Sequence, residues 1–130
     1  LAHNTDRAAM TRAVLEGVTH AVRDSFDAMV QTGTNIDSLI AVGGGSKSDY
    51  WLKAIATSLN MPIQIPAAGD FGGALGAARL GRMAATGEGA ELAVPPPISR
   101  VIEPDVHLVD TFAEAHARYA DTYRAVKHLR

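Results

Sequence analysis

Apolar residues recur about one helical turn apart through the opening quarter of the chain. Met10, Val14, Val18 and Val22 set the spacing, and Leu15, Phe26 and Met29 widen the stripe. That period predicts one long amphipathic helix. Asn4, Thr5 and Asp6 stand ready to cap its start and Gly33 to end it, because a helix end often needs the left-handed backbone that suits glycine. From Ile36 the period changes: Leu39, Ile40, Ala41 and Val42 run without a polar break, as in a strand covered on both faces. Helical spacing returns over 49–60 with Trp51, Leu52, Ile55, Ala56 and Leu59, until Asn60-Met61-Pro62 interrupts it. Ile63 and Ile65 then alternate around Gln64 as a short strand closed by Pro66.

A third helix is expected from Phe71 to Ala85, in which Gly72, Gly73, Gly76, Ala77 and Gly81 would let another element pack very closely. Residues 86–97 read as an irregular connector stiffened by Pro95-Pro96-Pro97. Val101-Ile102 is a candidate strand. Thr111 with Glu114 makes a capping box for a terminal helix carrying Phe112, Tyr119, Tyr123 and Val126 on one side.

The order is therefore α, β, α, β, α, connector, β, α: an α/β chain whose first two strands and crossover helix make a right-handed parallel unit. Two or three strands are few against the five or six usual in a sheet. Both faces and both edges of parallel strands must also be covered. Either the chain is part of a larger domain or it pairs with another chain, as in a homodimer. An opening at Leu1 rather than methionine fits an excerpt of a longer polypeptide.

Composition narrows the function classes. The chain has 130 residues, enough for one domain, with 12 Lys+Arg against 14 Asp+Glu and a net charge of −2. No basic field argues for nucleic acid or an anionic membrane. No apolar run approaches the roughly 18 residues of a membrane span. The absence of cysteine excludes a disulfide scaffold, a thiolate nucleophile and cysteine-ligated metal, and is compatible with a cytoplasmic location.

Chemistry concentrates in Val42-Gly43-Gly44-Gly45-Ser46-Lys47-Ser48-Asp49. A glycine turn between strand and helix lets backbone approach a ligand without Cβ collisions, and the helix N-terminus offers unpaired N–H groups. Ser46 and Ser48 are placed to cap that helix or to donate to a ribose or phosphate. Asp49 is placed to accept from a ribose hydroxyl or an adenine amino group. The spacing matches neither a Walker A loop nor the dinucleotide fingerprint. A turn that is merely structural remains the competing reading.

Arg12-Ala13-Val14-Leu15-Glu16-Gly17-Val18, the Gly-Gly-Gly-Ser-Lys-Ser turn, Trp51, Pro62 and Gly73-Ala74-Leu75-Gly76-Ala77-Ala78 follow one another in a familiar order. Together they resemble the C-terminal part of the FGGY family of carbohydrate kinases. The turn followed by Trp51, with the Tyr119/Tyr123-Arg124 tail, most resembles the xylulose kinases. The resemblance implies a partial actin-like (ribonuclease H-like) ATPase domain with a short, mostly parallel sheet flanked by helices. Residues 1–130 would be the ATP-side portion of the second domain, with 98–130 a terminal strand and helix.

It further implies transfer of the γ-phosphoryl of ATP, with Mg²⁺, to D-xylulose. Gluconate, glycerol and ribulose kinases are near alternatives. Gly43, Gly44, Gly45, Ser46, Ser48 and Asp49 would form the nucleotide site. Within it Gly44 and Gly45 would pack against adenosine, and Asp49 stands where some members carry a polar side chain near adenine. The catalytic base, the sugar pocket and the Mg²⁺ site would lie upstream, so the chain alone is expected to be inactive. ATP and ADP are the expected partners, with the sugar reached through that upstream region and with neither nucleic acid nor membrane.

A non-catalytic interaction module pairing through its sheet edge, and a small dinucleotide-binding unit, are the rivals from other classes. His3, His20, His107, His116 and His128 lack metal-ligand spacing and read as surface or capping residues. Arg12 and Glu16 read as an i, i+4 ion pair, Lys47 as a solvated turn residue, and Trp51 as core packing.

Overall fold

The structure, a computed structural model, describes residues 5–67 and 72–129. His3, Asn4 and Phe71, which figured in the expectations above, lie outside the described residues. The first helix, α1 (Arg7–Gln31), starts at Asp6, whose carboxylate accepts from the Ala9 N–H at 2.7 Å. It ends just before Gly33, which takes φ of 85° while its N–H donates to the Val30 carbonyl. Strand β1 (Leu39–Ile40) follows, then a single 3-10 turn at Gly44–Lys47, and α2 (Asp49–Leu59). Asn60 closes α2 in the left-handed region at φ 50°, one of the few side chains that accept it. Strand β2 (Ile63–Pro66), helix α3 (Gly72–Thr86), a 3-10 turn at Ala90–Leu92, strand β3 (Ile98–Ile102) and helix α4 (Val109–Val126) complete the order.

The expected parallel unit is present: β1 pairs with β2 in parallel register, Leu39 opposite Ile63. The third strand changes the picture. β3 is longer than Val101-Ile102 and runs antiparallel on the other side of β2, so the sheet is mixed, in the order β1-β2-β3. Its ladder becomes irregular between Ile65 and Pro66, where proline has no N–H to give. The core lies where α2 crosses this sheet: Leu52, Ala56, Ile63 and Ile65 are buried together, with Leu39, Ala41, Ile55 and Ile102 against them.

Several expectations fail for one physical reason. The α1 stripe is only partly covered: Leu15, Val22 and Phe26 are half-buried, whereas Met10, Val14, Val18 and Met29 are exposed, Val14 at 65%. The helix instead packs its Thr19, His20 and Arg23 side, with Thr19 and His20 buried and Arg23 Nη1 donating to the Ser58 carbonyl. Ile40 and Val42 are exposed, so the apolar run of β1 is not covered on both faces. Helix α3 buries no residue, and side-chain positions built at Gly73, Gly76 and Gly81 would meet nothing. Gly72 alone among those glycines meets a close neighbour, where a Cβ would lie 2.8 Å from Val42. The patterns announce apolar faces, and the described residues cover them only in part.

Helix α4 begins at Val109, two residues before the expected capping box, and Leu108 at its cap makes no side-chain hydrogen bond. The reason lies upstream. The Asp105 N–H donates to Thr57 Oγ1 on α2, and the Asp105 carboxylate accepts from the His107 N–H. A turn is thereby fixed from which the helix propagates. Phe112, His116 and Tyr119 then face α1, whereas Tyr123 and Val126, expected on the same side as Phe112 and Tyr119, are exposed. His20 is correspondingly not a surface histidine: it is buried between these rings, and His116 Nε2 lies 2.7 Å from an Asp24 carboxylate oxygen.

Candidate functional site

The glycine turn joins the C-terminal end of β1 to α2, and each of its residues has a local reason for its place. Gly43 adopts φ of 82°, a backbone state that other residues rarely take. Its carbonyl accepts both the Ser46 N–H at 3.1 Å and the Ser46 hydroxyl at 2.7 Å. Ser46 is buried and its proton is committed, so it fastens the turn from inside. Ser48 is the N-cap of α2, its hydroxyl accepting from the Trp51 N–H at 3.4 Å. Of the two serines proposed as caps, Ser48 is the one that caps.

Glycine is required at Gly45 by packing. A Cβ there would lie 2.8 Å from the six-membered ring of Trp51, closer than such contacts occur. Trp51 is half-buried, and its ring lies against the turn rather than deep in the core. Its indole Nε1 is buried without a hydrogen-bond partner among the described residues, an uncompensated donor. Gly43 and Gly44 have nothing within 4 Å of where a side chain would stand. The turn is therefore an open wall, with Gly44 exposed and the N-terminal end of α2 beside it.

Asp49, the first residue of α2, is held from a distance. Its Oδ1 accepts from Arg100 Nη2 on β3 at 2.6 Å. The Arg100 guanidinium draws the Asp49 carboxyl below the usual carboxylate range. Sequence reasoning missed Arg100, since the two residues lie 51 positions apart and no periodic pattern links them. Lys47 is exposed at the end of the 3-10 turn.

The next residue, Tyr50, turns the other way. Its hydroxyl donates to Glu16 Oε1 at 3.2 Å, and the same oxygen accepts from Arg12 Nε at 2.6 Å. The expected Arg12–Glu16 pair thus also binds α1 to α2. Burial, and then the negative charge of Glu16, push the Tyr50 hydroxyl up. A hollow of about 680 Å³ opens beside Tyr50, lined by Arg7, Thr11, Arg12 and Leu15. A second, of about 280 Å³, lies between Tyr50 and Phe112. The glycine turn lines neither of these two hollows. Among the described residues no group of three histidines, aspartates or glutamates is placed to hold a metal ion. No described helix is long and apolar enough to cross a membrane.

Residues 1–85 match the C-terminal domain of the FGGY family of carbohydrate kinases. The chain is similar to the xylulose kinase of Klebsiella pneumoniae, 31% identical over 99% of this chain and 27% of that protein. It is similar also to the xylulose kinase of Escherichia coli K12, 39% identical over 68% of this chain and 18% of that protein. Among solved structures, one described as a "xyloylose kinase" from Brucella ovis superposes with a TM-score of 0.87 at 53% identity, covering 100% of this chain and 28% of the other. The chain thus spans less than a third of the length of these relatives.

Proposed function

This chain belongs to the FGGY family of carbohydrate kinases, and on that premise we propose that it forms the ATP-side part of a kinase's second domain. In the reaction, the γ-phosphoryl of ATP passes to a hydroxyl of D-xylulose, giving ADP and D-xylulose 5-phosphate. The turn Gly43, Gly44, Gly45, Ser46, Ser48 and Asp49 is the nucleotide contact. The observation that carries the reading is the open glycine wall at the end of β1: Gly44 is exposed, and Trp51 packs over Gly45. Backbone N–H groups at the start of α2 add a surface suited to an electron-rich ligand. The xylulose kinases among its relatives favour D-xylulose over gluconate, glycerol or ribulose.

Phosphoryl transfer depends on positioning and on stabilising the transferring group from several sides. This chain supplies one side. Mg²⁺ would neutralise phosphate charge in such a reaction, and its ligands, the base that takes the sugar's proton and the sugar pocket are assigned to polypeptide outside this chain. Residues 98–130 extend the domain: β3 adds a third strand beside β2 and α4 packs on α1 and α2. A cytoplasmic setting, where ATP is available, goes with this role.

The test is a chimera in which residues 1–130 replace the corresponding segment of the Brucella ovis kinase, assayed with ATP and D-xylulose. ATP-dependent phosphorylation within about tenfold of the parent is expected, a barrier change of about 1.4 kcal/mol. The isolated chain should show none. A folded chimera without activity would contradict the assignment.

A further inference from the structure

We propose that a third hollow, between α1 and α4, is a binding site for a small tetrahedral oxyanion: a phosphate group, either free or carried on a monoester. It shares no residue with the glycine turn, so the inference stands independently of the nucleotide reading. The hollow measures about 150 Å³ and is lined by Arg12, Glu16, His20, Thr111, Phe112 and Arg118. At about 30 Å³ for each water, that is room for roughly five waters or for one phosphate group.

Two guanidinium groups against one carboxylate leave the lining net positive. The carboxylate is already answered: Glu16 Oε1 accepts from Arg12 Nε at 2.6 Å and from the Tyr50 hydroxyl at 3.2 Å. Arg12 carries further donors on its terminal nitrogens. The Arg118 guanidinium makes no hydrogen bond or ion pair with any described residue. His20 forms the buried wall, 7% exposed. Its Nδ1 is fully buried without a hydrogen-bond partner, and no described residue bonds its Nε2. A buried polar side chain left unsatisfied is costly. Thr111 was expected to cap α4, but the helix starts at Val109 and the Thr111 hydroxyl bonds no described residue. Guanidinium, imidazole and hydroxyl groups thus line one small hollow with donors to give, a set suited to phosphate oxygens.

Charge couples this site to protons. Burial disfavours the imidazolium form of His20, with His116 and Arg118 acting in the same direction and Glu16 and Asp24 against it. On the far side of the ring, His116 Nε2 lies 2.7 Å from Asp24, and Tyr119 packs with its ring centre 5.4 Å away. An anion in the hollow adds negative charge beside His20 and offsets Arg118. The bound state therefore favours the imidazolium more than the free state does. By linkage, binding tightens as the pH is lowered from about 7 to 5.

The experiment follows histidine ring and ¹⁵N amide shifts while the chain is titrated with sodium sulfate, whose charge is constant from about pH 5 to 8, against sodium chloride at matched ionic strength. Wild type, Arg118→Met and His20→Leu are compared. Wild type should show saturable shifts at His20 and along the facing turns of α1 and α4, with a roughly millimolar dissociation constant that falls with pH, and none with chloride. Arg118→Met should weaken sulfate about tenfold, the scale of one hydrogen bond to a charged group, at an unchanged melting temperature. His20→Leu should bind more weakly and without dependence on pH. Inorganic phosphate and methyl phosphate then separate the two sources: equal binding admits a monoester, and a response to inorganic phosphate alone restricts the site to the free ion. Shifts that follow ionic strength whatever the anion, or a sulfate affinity unmoved by Arg118→Met, would overturn the proposal.

Discussion

Replacing Leu52 by alanine is expected to cost about 2–5 kcal/mol, a large share of the stability of a chain this small. Leu52 is 4% exposed at the centre of the cluster with Ala56, Ile63 and Ile65. The buried apolar set among the described residues is small, extending only to Ala54, Leu59 and Pro66 beyond that cluster. The chain's stability therefore belongs at the low end of the usual 5–15 kcal/mol. A melt followed by circular dichroism should show a midpoint lower by about 10 °C or more. Val14→Ala on the exposed α1 stripe should shift stability by no more than about 0.5 kcal/mol. Equal effects at the two positions would contradict the burial described here and would mean that α1's stripe is covered in solution.

Acidification is expected to loosen the packing of α4 on α1 through His20. The ring is 7% exposed, with Nδ1 buried and unpartnered, between Phe112, His116 and Tyr119. Burial first, and the neighbouring His116 second, pull its pKa below the ordinary 6.5. Glu16 and Asp24 face it with the opposite influence, and Arg118 with the same. A histidine held neutral in the fold binds its proton more readily when unfolded. Its contribution is therefore fully present above pH 6.5 and is lost as pH falls through that value toward the lower folded pKa. The wild-type midpoint should drop between about pH 7 and pH 5. His20→Leu, which removes both the titration and the orphaned nitrogen, should be flatter over that range and no less stable at pH 7. Parallel pH profiles for the two proteins would refute the assignment to His20.

Much of the fold was legible locally. Helix α2, its stop at Asn60, strand β2 and the Asp6 cap all follow from periodicity and residue chemistry within a few positions. The glycine turn was legible too, as a strand-to-helix junction with Ser48 as cap. The failures share a different scale. The α1 stripe predicted an amphipathic helix correctly, but a period says nothing about where the covering surface comes from. Here the buried side is set by Tyr50, Ser58 and the α4 rings reaching Glu16, Arg23 and His20. The early start of α4 depends on Thr57 holding Asp105 from 48 residues away. The antiparallel course of β3 and the grip of Arg100 on Asp49 are likewise long-range facts. Spacing within one element cannot encode them. The chain spans under a third of the length of these relatives, and on the reading proposed above its exposed apolar stripes would face polypeptide outside the 130 residues.

The central claim is that the glycine turn is a nucleotide wall and not only a tight connection. Amide shifts of the ¹⁵N-labelled chain during titration with ADP, with NAD as the comparison, test it most directly. Saturable changes centred on Gly43 to Asp49 with ADP, at a roughly millimolar dissociation constant because one wall makes few contacts, and no tighter response there with NAD, which carries the same adenosine diphosphate, are the predicted result. A well-dispersed spectrum in which those amides stay still up to tens of millimolar ADP would contradict it, and would leave the turn a purely structural junction between β1 and α2.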